Sequence, residues 1–314
     1  MPNVVLLFPG QGSQAPGMGK DLADRFPAAR EVFEAADVAL GVPLSALCFA
    51  GPADELTLTH NAQPALLAHG AAVWSVARDV IGSSVVAAAG HSLGEFTAYT
   101  AAESFTLDDA LRIVRRRGEL MYEAGVSRPG TMAAILGEVA RPIEEICAQA
   151  TREAGLVVPA NFNSPGQLVL SGEDAGVERA MALCKEAGAK RAVRLNVSGA
   201  FHSPLMESAS QGLAQALDSV SFADPRFAVY ANVDGSAVTD ARRAKALLLR
   251  QLASPVRWTD EVLAITTRYP DALYIEMGPG NVLAGLVKKI APSVKTMTCG
   301  TAAEVAQLTE LAAV

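Results

Sequence analysis

Apolar and polar positions alternate along the chain with two distinct periods. Short continuous apolar runs closed by Gly, Pro or Asn predict buried strands at Val4–Phe8, from Val85 to Gly90, and at Phe227–Asn232, Leu273–Met277 and Val294–Cys299. Apolar residues recurring three and four apart predict helices between them, at Ala28–Leu40, Pro64–Ile81 and Leu93–Ala102, and from Leu107 to about Ala124. Further helices are expected at Pro204–Leu217, near Asp240–Leu252, and at Thr259–Thr267, Val282–Ile290 and Ala302–Ala312. Pro64 suits a first helical turn, and Thr106-Leu-Asp-Asp109 resembles a capping box.

Between Gly130 and Val197 the rhythm changes. Thr131–Leu136, Val157–Phe162, Gln167–Ser171 and Ala192–Val197 read as strands, and Ile143–Ala154 and Val177–Ala187 as helices. That β-α-β-β-α-β order is the ferredoxin-like arrangement. It predicts a small α+β domain, residues 129–197, inserted into a larger α/β domain made of residues 1–128 and 198–314.

One junction organises the larger unit. The apolar run from Val85 ends in Gly90-His-Ser92-Leu-Gly94 and flows into a helix. Strand, sharp turn and helix are what a nucleophile elbow requires, with small residues where the backbone turns tightly. The fold class expected is therefore α/β, with an α/β-hydrolase-like parallel sheet carrying Ser92 as nucleophile. Gly10-x-Gly12-x-x-Ala15 superficially matches a dinucleotide fingerprint, but Pro16-Gly-Met-Gly19 interrupts where a helix must begin, and no acidic residue closes a second strand. A Gly-rich loop at the end of the first strand has another use, offering a backbone N–H to a substrate oxygen.

Arg117 falls on the apolar stripe Ala110, Ile113, Val114, Leu120, Met121 and Ala124, whereas Arg112, Arg115 and Arg116 lie off it. A guanidinium aimed into a core needs an anion. From periodicity alone, an internal Asp or Glu and a substrate carboxylate are equally good partners. His202 lies on the loop re-entering the larger domain, a position that suits a cleft and equally a surface or capping histidine. His60 and His69 read as packed or surface residues, and His91 as a local packing or hydrogen-bonding group.

Composition narrows the class. A formal charge of −7 speaks against a nucleic-acid binder. Cys48, Cys147, Cys184 and Cys299 show neither close pairing nor metal-ligand spacing, so scattered reduced thiols in a cytoplasmic protein are expected. The first residues lack a signal peptide's basic start, and no apolar run approaches bilayer length. No membrane partner and a monomer are expected.

Seven motifs then occur in order: Gly10-Gln-Gly-Ser-Gln14, Gly90-His-Ser-Leu-Gly-Glu95, Arg117-Gly-Glu-Leu-Met121, Ala160-Asn-Phe-Asn-Ser-Pro-Gly166, Gly199-Ala-Phe-His-Ser-Pro-Leu-Met206, Gln251-Leu-Ala-Ser-Pro-Val-Arg-Trp258 and Gly278-Pro-Gly-Asn-Val-Leu283. Together they resemble the malonyl-CoA:acyl carrier protein transacylases, free-standing relatives of polyketide synthase acyltransferase domains, across essentially the whole chain. The resemblance implies Ser92 as nucleophile and His202 as general base and acid. It assigns Arg117 to the malonyl carboxylate, the backbone N–H groups of Gln11 and Leu93 to an oxyanion hole, and the Gln251 carbonyl to orienting the histidine.

The Gly-Ala-Phe-His form is similar to malonyl-selective members rather than methylmalonyl-selective ones, which tend to have Tyr-Ala-Ser-His, and Phe96 stands where many members have Tyr. Malonyl-CoA and holo acyl carrier protein follow as partners, with CoA as product and no permanently bound cofactor. Arg116, Lys190 and Lys288 are basic residues available to such anionic partners, although solvated faces explain them equally well. Two rival classes share some of these features. A serine esterase also uses the elbow but normally carries an acid before its histidine, and a scaffold module could retain the fold without the chemistry.

Overall fold

The computed structural model describes residues 2–312. β1 (Val4–Phe8) runs through its main sheet with every residue buried. Val4, Leu6 and Phe8 enter the core on one face and Val5 and Leu7 the core on the other. A strand covered on both faces must be apolar throughout, which is why β1 reads as an uninterrupted run. The chain continues through helices α1 (Lys20–Arg25), α2 (Pro27–Leu40), α3 (Leu44–Ala50), α4 (Ala53–Thr57) and α5 (Thr59–Ile81). Then come β2 (Val85–Gly90), α6 (Leu93–Ala101) and α7 (Leu107–Ser127), whose Thr106 cap accepts from Asp109 N at 3.1 Å.

The next stretch is β3 (Thr131–Leu136), α8 (Ile143–Glu153), β4 (Val157–Ser164), β5 (Gln167–Gly172), α9 (Asp174–Glu186) and β6 (Arg191–Arg194). The last comprises α10 (Glu207–Asp218), β7 (Ala228–Tyr230), β8 (Ala237–Val238), α11 (Ala241–Gln251), α12 (Trp258–Arg268), β9 (Leu273–Glu276), α13 (Val282–Ile290), β10 (Lys295–Thr298) and α14 (Ala302–Ala312).

The main sheet has the order β10-β9-β1-β2-β7-β8. Its neighbours are parallel except β7 and β8, an antiparallel edge pair. The second sheet, β4-β5-β3-β6, is antiparallel throughout, and α8 and α9 cover one face of it. Main-chain bonds join the two regions: Phe162 N donates to Val256 O at 2.9 Å and Val256 N to Ala160 O at 2.8 Å. The cleft between the sheets is therefore pinned at β4.

Several expectations need correction. The helix expected over Pro64–Ile81 begins earlier, at Thr59, with Pro64 in its interior. The proline leaves the His60 carbonyl without its helical donor, and Arg115 Nη1 donates to that oxygen at 3.1 Å. A tertiary contact thus repairs what proline removes. The strand expected over Ala192–Val197 stops at Arg194, and Leu195, Asn196 and Val197 line the central cavity instead. The Pro204–Leu217 helix opens as a tight 3₁₀ turn, Pro204–Met206. The short helices α1, α3 and α4 and the edge strand β8 were not anticipated, because each is too brief for a periodic signal.

The elbow is built on close backbone approach. A Cβ on Gly94 would lie 2.0 Å from Phe8 O, and one on Gly90 would lie 2.0 Å from Gly94 C. His91 N donates to Phe8 O at 3.0 Å, tying the turn to β1. Gly94→Ala is therefore expected to destabilise the fold by about 3 kcal/mol or more, since backbone rather than a flexible side chain must move. A thermal midpoint equal to wild type would show that β1 and α6 can part without cost.

Candidate active site

Ser92 sits at φ 53° and ψ −105°, a region that L-residues avoid, between β2 and the first turn of α6. Such a residue stays in place only if its surroundings over-determine it. Asn232, just past β7, spans the turn: its Oδ1 accepts from Ser92 N at 2.7 Å and its Nδ2 donates to Gly90 O at 2.7 Å. Gly94 N is spent on His91 O and Glu95 N on Ser92 O. Leu93 N opens α6, where the first amides of a helix have no intrahelical acceptor. Gln11, on the loop after β1, lines the same cavity as Leu93, a space of about 430 Å³.

His202 also has positive φ, 57°, and its loop is stiffened by Ser203 Oγ donating to Ala200 O at 2.6 Å. His202 Nε2 lies 2.8 Å from Ser92 Oγ. Its Nδ1 lies 3.0 Å from the backbone carbonyl of Gln251 and 3.1 Å from that of Ser254. Carbonyls only accept, so Nδ1 carries the proton and Nε2 is left as acceptor for the serine hydroxyl. Among the described residues no carboxylate hydrogen-bonds to this histidine. Burial, reinforced by the Arg117 charge, depresses His202 to about 3, so its imidazole is neutral throughout the physiological range. The acid limb of kcat/KM for serine acylation is accordingly expected near pH 3, because that limb reports the free enzyme's base. A break at the ordinary imidazole value in a stopped-flow pH profile would contradict the geometry.

Arg117 is 1 % exposed. Its Nη1 donates to Gln63 Oε1 at 2.7 Å, and its Nη2 to Gln251 Oε1 at 2.9 Å and to Ser92 Oγ at 3.1 Å. Among the described residues it has no ion-pair partner, and its Nε has no acceptor. No internal Asp or Glu pairs with this guanidinium, which rests on neutral amides and the serine. The Phe96 ring lies beneath, 5.3 Å from Cζ. Burial lowers Arg117 to about 10, so it stays cationic near neutrality.

The structure therefore brings Ser92, His202, Arg117, Gln251, Gln11 and Leu93 to one place. His91 lines the same cavity but is engaged elsewhere, its Nε2 2.8 Å from Asn163 Oδ1. His69 is buried beside Gly19 and His60 packs on Tyr122, both away from the cavity. Arg116 is engaged with Glu119 and Glu123 at 3.3 and 3.0 Å.

Sequence reasoning missed Gln63, Glu95, Asn232 and Ser254. Gln63 belongs to a chain of bonds: Gln63 Nε2 reaches Thr59 Oγ1 at 3.2 Å, and Thr59 Oγ1 donates to Gln11 Oε1 at 2.7 Å. The arginine and the β1 loop are thereby coupled. A usable signal existed for Asn232, a polar residue closing an apolar run at the sheet edge that carries Ser92 and Gln11. Gln63 and Ser254 gave none.

A Ser–His pair at a strand–turn–helix elbow defines an enzyme of covalent serine catalysis. A family model described as acyl transferase domain matches residues 5–307. The malonyl CoA-acyl carrier protein transacylase of Bacillus subtilis is 46% identical over 297 residues, 95% of this chain and 93% of that protein. The crystal structure of an acyl-carrier-protein-S-malonyltransferase from Bartonella henselae superposes with a TM-score of 0.93 at 42% identity, covering 99% of this chain and 100% of that one. A malonyl-transacylase solved in complex with its type II polyketide synthase acyl carrier protein matches at a TM-score of 0.93 and 41% identity, over 98% of this chain and 99% of that chain. The chain belongs to the acyl transferase family, among the malonyl-CoA:acyl carrier protein transacylases.

Proposed function

We propose that this enzyme transfers a malonyl group from malonyl-CoA to the phosphopantetheine thiol of holo acyl carrier protein, for fatty acid or polyketide synthesis. The observation that carries the reading is Arg117: a buried cation without a carboxylate partner, 3.1 Å from the candidate nucleophile. A buried cation with no carboxylate in direct contact favours a substrate that brings its own anion.

In the first half-reaction Ser92 Oγ attacks the thioester carbonyl while His202 Nε2 takes the hydroxyl proton. The amides of Gln11 and Leu93 stabilise the tetrahedral oxyanion. Collapse expels CoA as the thiol, protonated by His202, and leaves malonyl-Ser92. The carrier thiol then attacks this ester, His202 again accepting and returning the proton, so the kinetics are ping-pong. CoA enters and leaves as substrate and product, with no resident cofactor required. One chain supplies every group of the site, which fits a monomer as the working unit.

The architecture read in these terms is a discontinuous α/β-hydrolase-like domain, 1–128 and 198–314, around a ferredoxin-like insert, 129–197. The strand order β4-β5-β3-β6 supports that insert.

Intact mass spectrometry tests the reading. Malonyl-CoA alone is expected to add one malonyl group to the wild-type protein and none to Ser92→Ala, and holo carrier protein is expected to remove it. Rapid release of free malonate without carrier protein would make the enzyme a hydrolase.

A further inference from the structure

Beneath the elbow lies a buried polar cluster that the acyl-transfer steps do not use. Glu95, on the first turn of α6, and Glu261, on α12, are both completely buried. Glu95 Oε2 accepts from Gln251 Nε2 at 2.6 Å and from Asn232 N at 3.2 Å, and Glu261 Oε1 accepts from Asn232 Nδ2 at 3.0 Å. The second oxygen of each carboxyl, Glu95 Oε1 and Glu261 Oε2, has no hydrogen-bond partner. One amide separates Glu95 from Arg117: Gln251 accepts from the guanidinium through Oε1 and donates to Glu95 through Nε2. The same Nε2 donates to Ser92 O at 3.0 Å.

From this arrangement we infer that Glu95 is a positioning residue that takes up a proton when the acyl carboxylate engages Arg117, so that substrate binding is linked to proton uptake. The inference rests on the proposed docking of that carboxylate at Arg117. Before substrate arrives, Glu95 balances the guanidinium through the Gln251 amide, whose dipole lies between the two charges. Once a substrate carboxylate pairs with Arg117, a second buried anion in the same pocket is surplus.

The other charged or titratable groups facing Glu95 make this worse. Asp234, after β7, and Glu261, on α12, are acids, and Tyr99, on α6 itself, has a buried hydroxyl without a partner. Arg243, on α11, bears on Tyr99 but is held by Asp234 at 3.3 Å. A proton from solvent on Glu95 Oε1 restores one cation to one anion and breaks no substrate bond. It leaves Oε2 as acceptor for Gln251, so the amide that holds Ser92 and Arg117 does not move. Burial already holds Glu95 up to about 7, so the proton is available near neutrality.

Calorimetry measures the linkage directly. Ser92→Ala protein, which cannot acylate, is titrated with the malonyl thioester of N-acetylcysteamine, which lacks the CoA phosphates, in buffers of different ionisation enthalpy. The expected uptake is a fraction of a proton near neutrality, rising towards one as the pH is raised, with affinity then falling by up to about tenfold per pH unit. Adding Glu95→Gln should abolish both the uptake and the pH dependence. Adding His202→Ala instead should leave them in place, a readout that a purely structural role for Glu95 does not move. Uptake that survives Glu95→Gln, or disappears with His202→Ala, overturns the inference. Malonyl binding without uptake defeats it alone. A malonyl thioester that binds no better than the acetyl thioester, with Arg117→Ala making no difference, defeats the carboxylate reading beneath it.

Discussion

Arg117→Ala is expected to lose malonyl transfer by on the order of 10²–10³-fold while acetyl transfer from acetyl-CoA changes little. The asymmetry follows from what surrounds the side chain. Its three hydrogen-bond acceptors are the amides of Gln63 and Gln251 and the Ser92 hydroxyl, all uncharged. Nothing in the free pocket pairs with the guanidinium directly, so its charge is available to an incoming carboxylate and counts only for substrates that carry one. Truncation also strands the acceptors on Gln63 and Gln251, which costs fold stability of about 1–3 kcal/mol for each unsatisfied group. Comparing malonyl with acetyl transfer inside the same variant cancels that loss. Equal declines in the two activities would remove Arg117 from acyl recognition.

His202→Ala should lower the rate of Ser92 acylation by ~10³-fold, read as the single-turnover burst of CoA thiol. Without the imidazole, the hydrogen-bond partner left to Ser92 Oγ among the described residues is Arg117 Nη2, which donates to it and cannot take its proton. The hydroxyl stays aimed but unactivated. The proposed oxyanion donors, Gln11 N and Leu93 N, lie on other segments of the chain and are untouched, so a residual rate above the uncatalysed one is expected. A loss below tenfold would mean that another group serves as base. His91, the nearest alternative, is held by Asn163 and depressed by burial.

Ser92 and Arg117 were legible because their signals are local. The elbow is encoded within a few residues, where Gly90 and Gly94 allow the backbone contacts that any side chain would block. Arg117 showed itself as a charge on an apolar stripe. Its partner did not show, because Gln63 is 54 positions away and Gln251 is 134 positions away. Glu95 was hidden for the same reason, since it meets Gln251 across 156 positions, and although Asn232 stood out as a polar residue ending an apolar run, its contact with Ser92 spans 140. The Gln11, Leu93 and Gln251 assignments came from the family pattern rather than from periodicity. The misplaced start of α5 has a physical cause as well, for a proline was read as a boundary when Arg115 supplies the donor it lacks.

The partner of the catalytic-site histidine is main chain, the carbonyl of Gln251 with that of Ser254 beside it. A side-chain carboxylate in that place could be erased by a single codon change and would titrate with pH. A peptide carbonyl can suffer neither fate. Every amino acid at position 251 presents the same oxygen, provided that α11 ends where it does. What substitution at 251 puts at risk is the side chain's separate grip on Ser92, Glu95 and Arg117. A library randomised at this codon should therefore divide its defects unevenly: the tautomer of His202 persists across variants, and acyl-group choice varies.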